Sequence, residues 1–164
     1  MKQIRRNVFE TNSSSMHSVV IHKSDTSDML YPSDRDNYVH TRFDEFGWDY
    51  DGEYGPFYDA ETKLSYLVTM MAENTGNCPW CENGDIDAIY DELMTENDEF
   101  VELNEIIKRR CDCDGVWIDL SEGYIDHQSM YPSVHAFLED YCLDSMEDFI
   151  FDSGIGLIID NDNR

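Results

Sequence analysis

Four of the five cysteines fall in two close pairs, Cys78-Pro79-Trp80-Cys81 and Cys111-Asp112-Cys113. Two thiolates separated by two residues can point at one ion, and the following Glu82-Asn83-Gly84 eases the turn. Cys111 and Cys113 would supply the second pair, although one intervening residue is fewer than the usual two to four. Four thiolates suit tetrahedral Zn²⁺ and leave no open position, so the expected metal is structural and not catalytic. Two other readings of the thiols stand beside it. A Cys-x-x-Cys pair can be a redox centre, but the βαβ pattern that accompanies such centres is not evident. Reduced cysteines can also simply be buried as small apolar side chains. Cys142, beside Tyr141, reads as core.

A second concentration of reactive types runs from Glu10 to Ser18. It contains the Glu10 carboxylate, the Asn12 amide, hydroxyls including Ser14, and the His17 imidazole. Such a loop can bind phosphate through hydroxyls and backbone N–H groups, with His17 as donor or general base. Asp126-His127 offers another imidazole beside a carboxylate. If the two segments share a cleft, Glu10, Asn12, Ser14, His17, Asp126 and His127 become candidate catalytic residues for a nucleotide or nucleic-acid end. The competing reading is that Ser, Thr and Asn bond their own backbone in turns. No P-loop, Gly-x-Ser-x-Gly elbow or His-Glu-x-x-His pattern accompanies them. Asp160-Asn161-Asp162 has ligand types for Mg²⁺, but near the end of the sequence it reads as a solvated tail.

The elements that must carry these groups follow from hydrophobic period and caps. Ile4–Phe9 and Ser18–His22 are strand-like around the polar stretch, which suggests a hairpin or a strand broken by an active loop. Residues 44–59 mix acids, aromatics and turn formers without a period, so an irregular excursion is expected. Asp59 can cap a helix carrying Leu64, Leu67, Val68 and Met71. Residues 85–110 read as one long helix, or as two broken near Glu96-Asn97-Asp98, with Lys108-Arg109-Arg110 matching the dipole at the end. Val116–Leu120 and Tyr124-Ile125 read as strands. Ser133 caps a helix, Asp144 begins another, and Gly156–Asp160 is a closing strand. The expectation is one compact α+β domain over 1–164, with 76–114 as a small zinc-stapled helical insertion.

The opening Arg5-Arg6-Asn7-Val8-Phe9-Glu10-Thr11-Asn12-Ser13-Ser14-Ser15-Met16-His17-Ser18 resembles the start of a group of small, mostly uncharacterised proteins of bacteriophages and mobile elements of Gram-positive bacteria. Gly123–Ser129, Ile158–Asn163 and the central cysteine pair are similar to the same group. Members more often carry Gly at the position of Asn7 and Thr at that of Met16, so neither residue receives a role. The resemblance implies a phage or mobile-element origin and no particular reaction.

Eleven Lys and Arg oppose 36 Asp and Glu in 164 residues, a formal charge of −25. Such a chain disfavours direct contact with a nucleic-acid backbone or an anionic membrane. No apolar run approaches the ~18 residues of a membrane span, and Met1–Arg6 lacks the apolar stretch of a signal peptide, so a cytoplasmic protein is expected. With 41% hydrophobic and 13% aromatic residues, a real core is expected despite the charge. Solubility needs a charge of only about 2 to 8 in magnitude. Two explanations for the excess remain: a merely acidic surface, or an imitation of nucleic-acid phosphates that occupies a basic groove. Asp44, Glu45, Trp48, Asp49, Tyr50, Asp51, Glu53, Tyr54, Phe57 and Tyr58 are the candidate contact residues, acids interleaved with aromatic anchors. The expected partner is a basic host protein, such as a CRISPR or restriction nuclease that the chain inhibits.

Overall fold

The computed structural model describes residues 2–4, 15–23, 26–46, 55–75, 86–119, 121, 123–125 and 130–161. In chain order the elements are β1 (Lys2–Ile4), β2 (Ser15–Ile21), β3 (Tyr38–Arg42), β4 (Glu45–Phe46), α1 (Ala60–Asn74), α2 (Ile86–Glu96), α3 (Asp98–Cys111), β5 (Gly115–Asp119), β6 (Tyr124–Ile125), α4 (Val134–Asp140), α5 (Met146–Phe151) and β7 (Ile155–Asn161).

α1 is the spine. Asp59 caps it by accepting the Thr62 N–H at 2.7 Å, a bond worth about 1 kcal/mol in such positions. The sequence shows an apolar stripe of Leu64, Leu67, Val68 and Met71, but every residue from Lys63 to Ala72 is buried. A helix closed in on all sides must satisfy its polar side chains with protein groups, and α1 uses them to fasten its neighbours. Ser65 donates to the Arg42 carbonyl (2.8 Å) and holds β3. Glu73 accepts the Ile125 N–H (3.0 Å) and holds β6. Tyr66 meets His17 of β2, and Lys63 reaches the turn before β7.

Among the described residues three small sheets lie around this spine. β2 is central in an antiparallel sheet of order β1-β2-β7, with Lys2 opposite Ile21 and Ile21 opposite Ile155. β1 ends at Ile4, where the expected first strand began, and residues 5–9 lie outside the described residues; β2 begins at Ser15 and draws His17 out of the polar stretch into a strand. β3 pairs with β5 and β4 with β6, both in parallel. The Val116 and Tyr124 strands thus pair with earlier strands and not with each other. Parallel neighbours need a long crossover, and α1, α2 and α3 provide it. β3 went unread in the sequence because its five residues sit among turn formers and alternate with polar types.

The helix over 85–110 breaks where Asn97 accepts the Phe100 N–H at 2.9 Å and caps α3. α3 ends on Asp112 in the left-handed region (φ 52°). Asn104, almost fully buried, accepts the Val116 N–H at 2.8 Å and steers the chain into β5. Gly115 permits this, since its φ is +138° and a Cβ there would run into the Asn104 side chain. Ser133 caps α4, and Glu99 of α3 takes the Val134 and His135 N–H groups at 2.9 and 2.8 Å. Ser145, one residue after Asp144, caps α5. Among the described residues the result is a single compact domain of mixed helix and strand, with five helices and no helix long and apolar enough to cross a membrane.

Cys142 departs from the sequence reading. α4 ends at Asp140, and Cys142 lies beyond it at φ 56° and exposed, outside the core expected of it.

Candidate functional site

Of the four cysteines expected to hold zinc, Cys111 and Cys113 stand at the end of α3, both half-buried and free of disulfides. Cys78 and Cys81 lie outside the described residues. Burial, and then the neighbouring Cys113 thiol, push the Cys111 thiol up to about 11. A thiol in that condition stays protonated at neutral pH unless a cation takes the proton's place. Among the described residues no group of three or more His, Cys, Asp or Glu is arranged to hold a metal ion.

His17 sits in the middle of β2 with 6% exposure. Its Nδ1 is 3.0 Å from the Tyr66 hydroxyl, and its backbone carbonyl accepts the Tyr141 hydroxyl at 3.0 Å. The ring is therefore part of the aromatic core formed by Phe46, Tyr66, Phe137 and Tyr141. Glu10, Asn12, Ser14, Asp126 and His127 lie outside the described residues. Asp160 and Asn161 pair through their backbone with Met16 and Ser15 in β7, and Asp162 lies outside.

Of the acidic, aromatic excursion, Trp48, Asp49, Tyr50, Asp51, Glu53 and Tyr54 are outside the described residues. Asp44 is half-buried and Glu45 exposed, at the start of β4. Phe57 exchanges both backbone bonds with Leu157 (2.7 and 2.9 Å), and Tyr58 packs edge-on against His22 with ring centroids 5.3 Å apart. Both residues are half-buried, and the Phe57 backbone bonds fasten this segment to β7.

A group that the sequence did not reveal lies on the outer face of the β3–β5 pair. Register places Tyr38 beside Gly115, His40 beside Trp117 and Arg42 beside Asp119. Val39, Val116 and Ile118 face the core, and the side chains between them face out. His40 is held from both sides. Its Nδ1 meets the Asp119 carboxylate at 2.9 Å and its Nε2 meets Asp36 at 3.0 Å. Burial pulls the imidazole pKa down, but the bonds and charges of Asp119 and Asp36 outweigh it and raise the value. The Tyr38 N–H, aided by His40, draws the Asp36 carboxyl below its usual range. With a carboxylate at each nitrogen, the imidazolium can donate both N–H groups, so this cluster holds charge and does not present a free base.

Beside it, Trp117 is 41% exposed and stands between Tyr90 of α2 (centroids 5.6 Å) and Tyr38 (6.2 Å). The Tyr90 hydroxyl donates to the Val116 carbonyl at 3.1 Å, which anchors the trio to the strand edge. Past His40 opens a cleft of about 280 Å³, lined by His40, Arg42, Asp44, Glu61, Ser65 and Asp119. Arg42 is mostly exposed and reaches the Asp44 carboxylate only at 3.4 Å. The pattern Tyr38-x-His40-x-Arg42 against Trp117-x-Asp119 was the available signal, an apolar-in, polar-out alternation on two strands far apart in the chain.

No family model matches this chain. No curated protein and no solved structure matches it either.

Proposed function

We propose that the chain is a phage-borne cytoplasmic protein that binds and inhibits a basic, nucleic-acid-handling host protein. It would present carboxylates where nucleic acid presents phosphates, as an inhibitor of a CRISPR or restriction nuclease does. One observation carries this reading. Among the described residues sixteen Asp and Glu are exposed, against five exposed cations, Lys23, Arg35, Arg42, Arg109 and Arg110. Three of those five already meet carboxylates, Arg42 at Asp44 and both Arg109 and Arg110 at Glu147.

The carboxylates ride on a folded surface, so their positions persist between encounters. On α3, Asp98, Glu102 and Glu105 form one exposed stripe, rising about 6 and 4.5 Å between neighbours at the pitch of a helix. Fixed like charges of this kind speed association with a basic groove and make it sensitive to salt. They also repel one another, and −25 far exceeds what solubility requires.

A structural Zn²⁺ on Cys78, Cys81, Cys111 and Cys113 belongs to the same reading. Its support is the half-buried Cys111–Cys113 pair and the return of α2 along α3. Tyr90, four residues into α2, bonds Val116 just past Cys113, and Ile86 follows Cys81 by five positions. A metal here would tie the helical hairpin to the start of β5 and take the protons off the thiols.

The test is capture of host proteins on the immobilised chain at low and high salt, followed by elution with duplex DNA. The proposal expects one nucleic-acid-binding protein, released by salt and by DNA. Proteins that stay bound under both conditions, or beads that capture nothing, overturn it.

A further inference from the structure

We infer that the outer face of the β3–β5 pair, centred on Trp117, is where the chain receives an arginine side chain of a basic protein partner. This rests on the proposed acidic binder and names the surface and the side chain that such a binder would use.

Trp117 is one of few large apolar side chains in the described residues left substantially open, and it does not stand alone. Tyr38 and Tyr90 flank it and hold its ring in place, so little side-chain freedom remains to be lost on contact. A rigid, half-open indole among tyrosines is the kind of anchor on which binding energy concentrates. Around it the charge is negative. Asp36 and Asp119 stand on either side of His40, and at Tyr90 the field of the Lys108 ammonium, which Glu105 holds, is opposed by that of Asp91.

The cations of this face are already committed. His40 is held between two carboxylates, Lys108 sits 2.7 Å from Glu105, and Arg42 leans toward Asp44. Among the described residues an incoming cation therefore meets an aromatic face and carboxylates with no unpaired positive charge opposing it. Arginine fits this better than lysine. Its flat guanidinium can lie on the indole while its N–H fork meets a carboxylate such as Asp119, whereas a lysine ammonium offers a compact point charge. A nucleic acid or an anionic lipid would be repelled by the same carboxylates.

The experiment measures binding of two nine-residue peptides, all-arginine and all-lysine, to the full chain at low salt. The wild-type chain is compared with Trp117→Ala, Trp117→Phe and, at another exposed ring outside the Tyr38–Trp117–Tyr90 trio, Tyr31→Ala; circular dichroism verifies that each is folded. The inference expects the arginine peptide to bind wild type at least five-fold tighter than the lysine peptide. Trp117→Ala should weaken the arginine peptide about ten-fold, the loss of a hot-spot contact, and leave the lysine peptide within two-fold. Trp117→Phe should retain part of the preference, and Tyr31→Ala all of it. Failure of both peptides to bind wild type would overturn the acidic-binder reading and this inference together. Equal binding of both peptides, or indifference to Trp117→Ala, would overturn the Trp117 surface alone.

Discussion

Lys63 is fully buried in α1, with its Nζ donating to the Asp152 and Ile155 carbonyls at 3.1 and 3.2 Å. Burial brings its pKa down from 10.5 to about 8, against the opposing pull of Asp28, Asp59 and Asp152. At 1.36 kcal/mol per pH unit, that interval amounts to about 3 kcal/mol of disfavour for the buried ammonium. Its dependence on pH has a definite sign. Below pH 8 folded and unfolded chains both carry the proton and the full disfavour is present. Between pH 8 and 10.5 the unfolded chain holds more of the proton, so rising pH stabilises the fold through this group. Lys63→Met keeps the length and removes the proton. Urea unfolding followed by circular dichroism should therefore show wild type gaining stability on Lys63→Met as pH rises from 7, by about 2.5 kcal/mol at pH 10. The Cys111 thiol, pushed up to about 11, and the buried Tyr66 titrate in both chains and cancel in the difference. A difference that stays flat from pH 7 to 10 would refute the reasoning, because it would mean that the ammonium keeps its ordinary pKa.

The His40 cluster and the cysteines make further demands. His40 should titrate above 6.5 by NMR, and Asp119→Asn should lower its midpoint; the stability it contributes is complete below 6.5 and lost as pH rises through the folded value. A His40 midpoint unchanged by Asp119→Asn would remove the ion pair from the account of this face. Native mass spectrometry should find one Zn²⁺ per chain, and Cys78→Ser should remove it and lower the melting temperature. Metal-free chain that melts at the same temperature after addition of zinc would contradict the four-cysteine site.

Local signals in the sequence were reliable where one residue does one local job. Asp59 and Ser133 cap the helices that the sequence expects them to cap, and each bond is made within three residues. Pairings across the chain were not legible. His40 and Asp119 are 79 residues apart, and neither is unusual in its own segment. Burial was also understated where a helix is enclosed all round: the apolar stripe of α1 says nothing of Lys63, whose ammonium is satisfied by carbonyls 89 and 92 residues away. His17 shows the opposite error. Its polar neighbours suggested a loop, but pairing with Ile159 and the bond to Tyr66 take it into the core. Trp117 was readable as a strand residue, yet its exposure depends on β3, a strand that had no distinct signature of its own.

The most direct measurement is competition between this chain and duplex DNA for a captured host protein, followed by the fluorescence anisotropy of labelled DNA. If carboxylates stand in for phosphates, added chain should displace the DNA completely, and the displacement should weaken steeply with salt. A ternary complex in which the DNA signal persists at saturating chain would contradict occupation of the nucleic-acid groove.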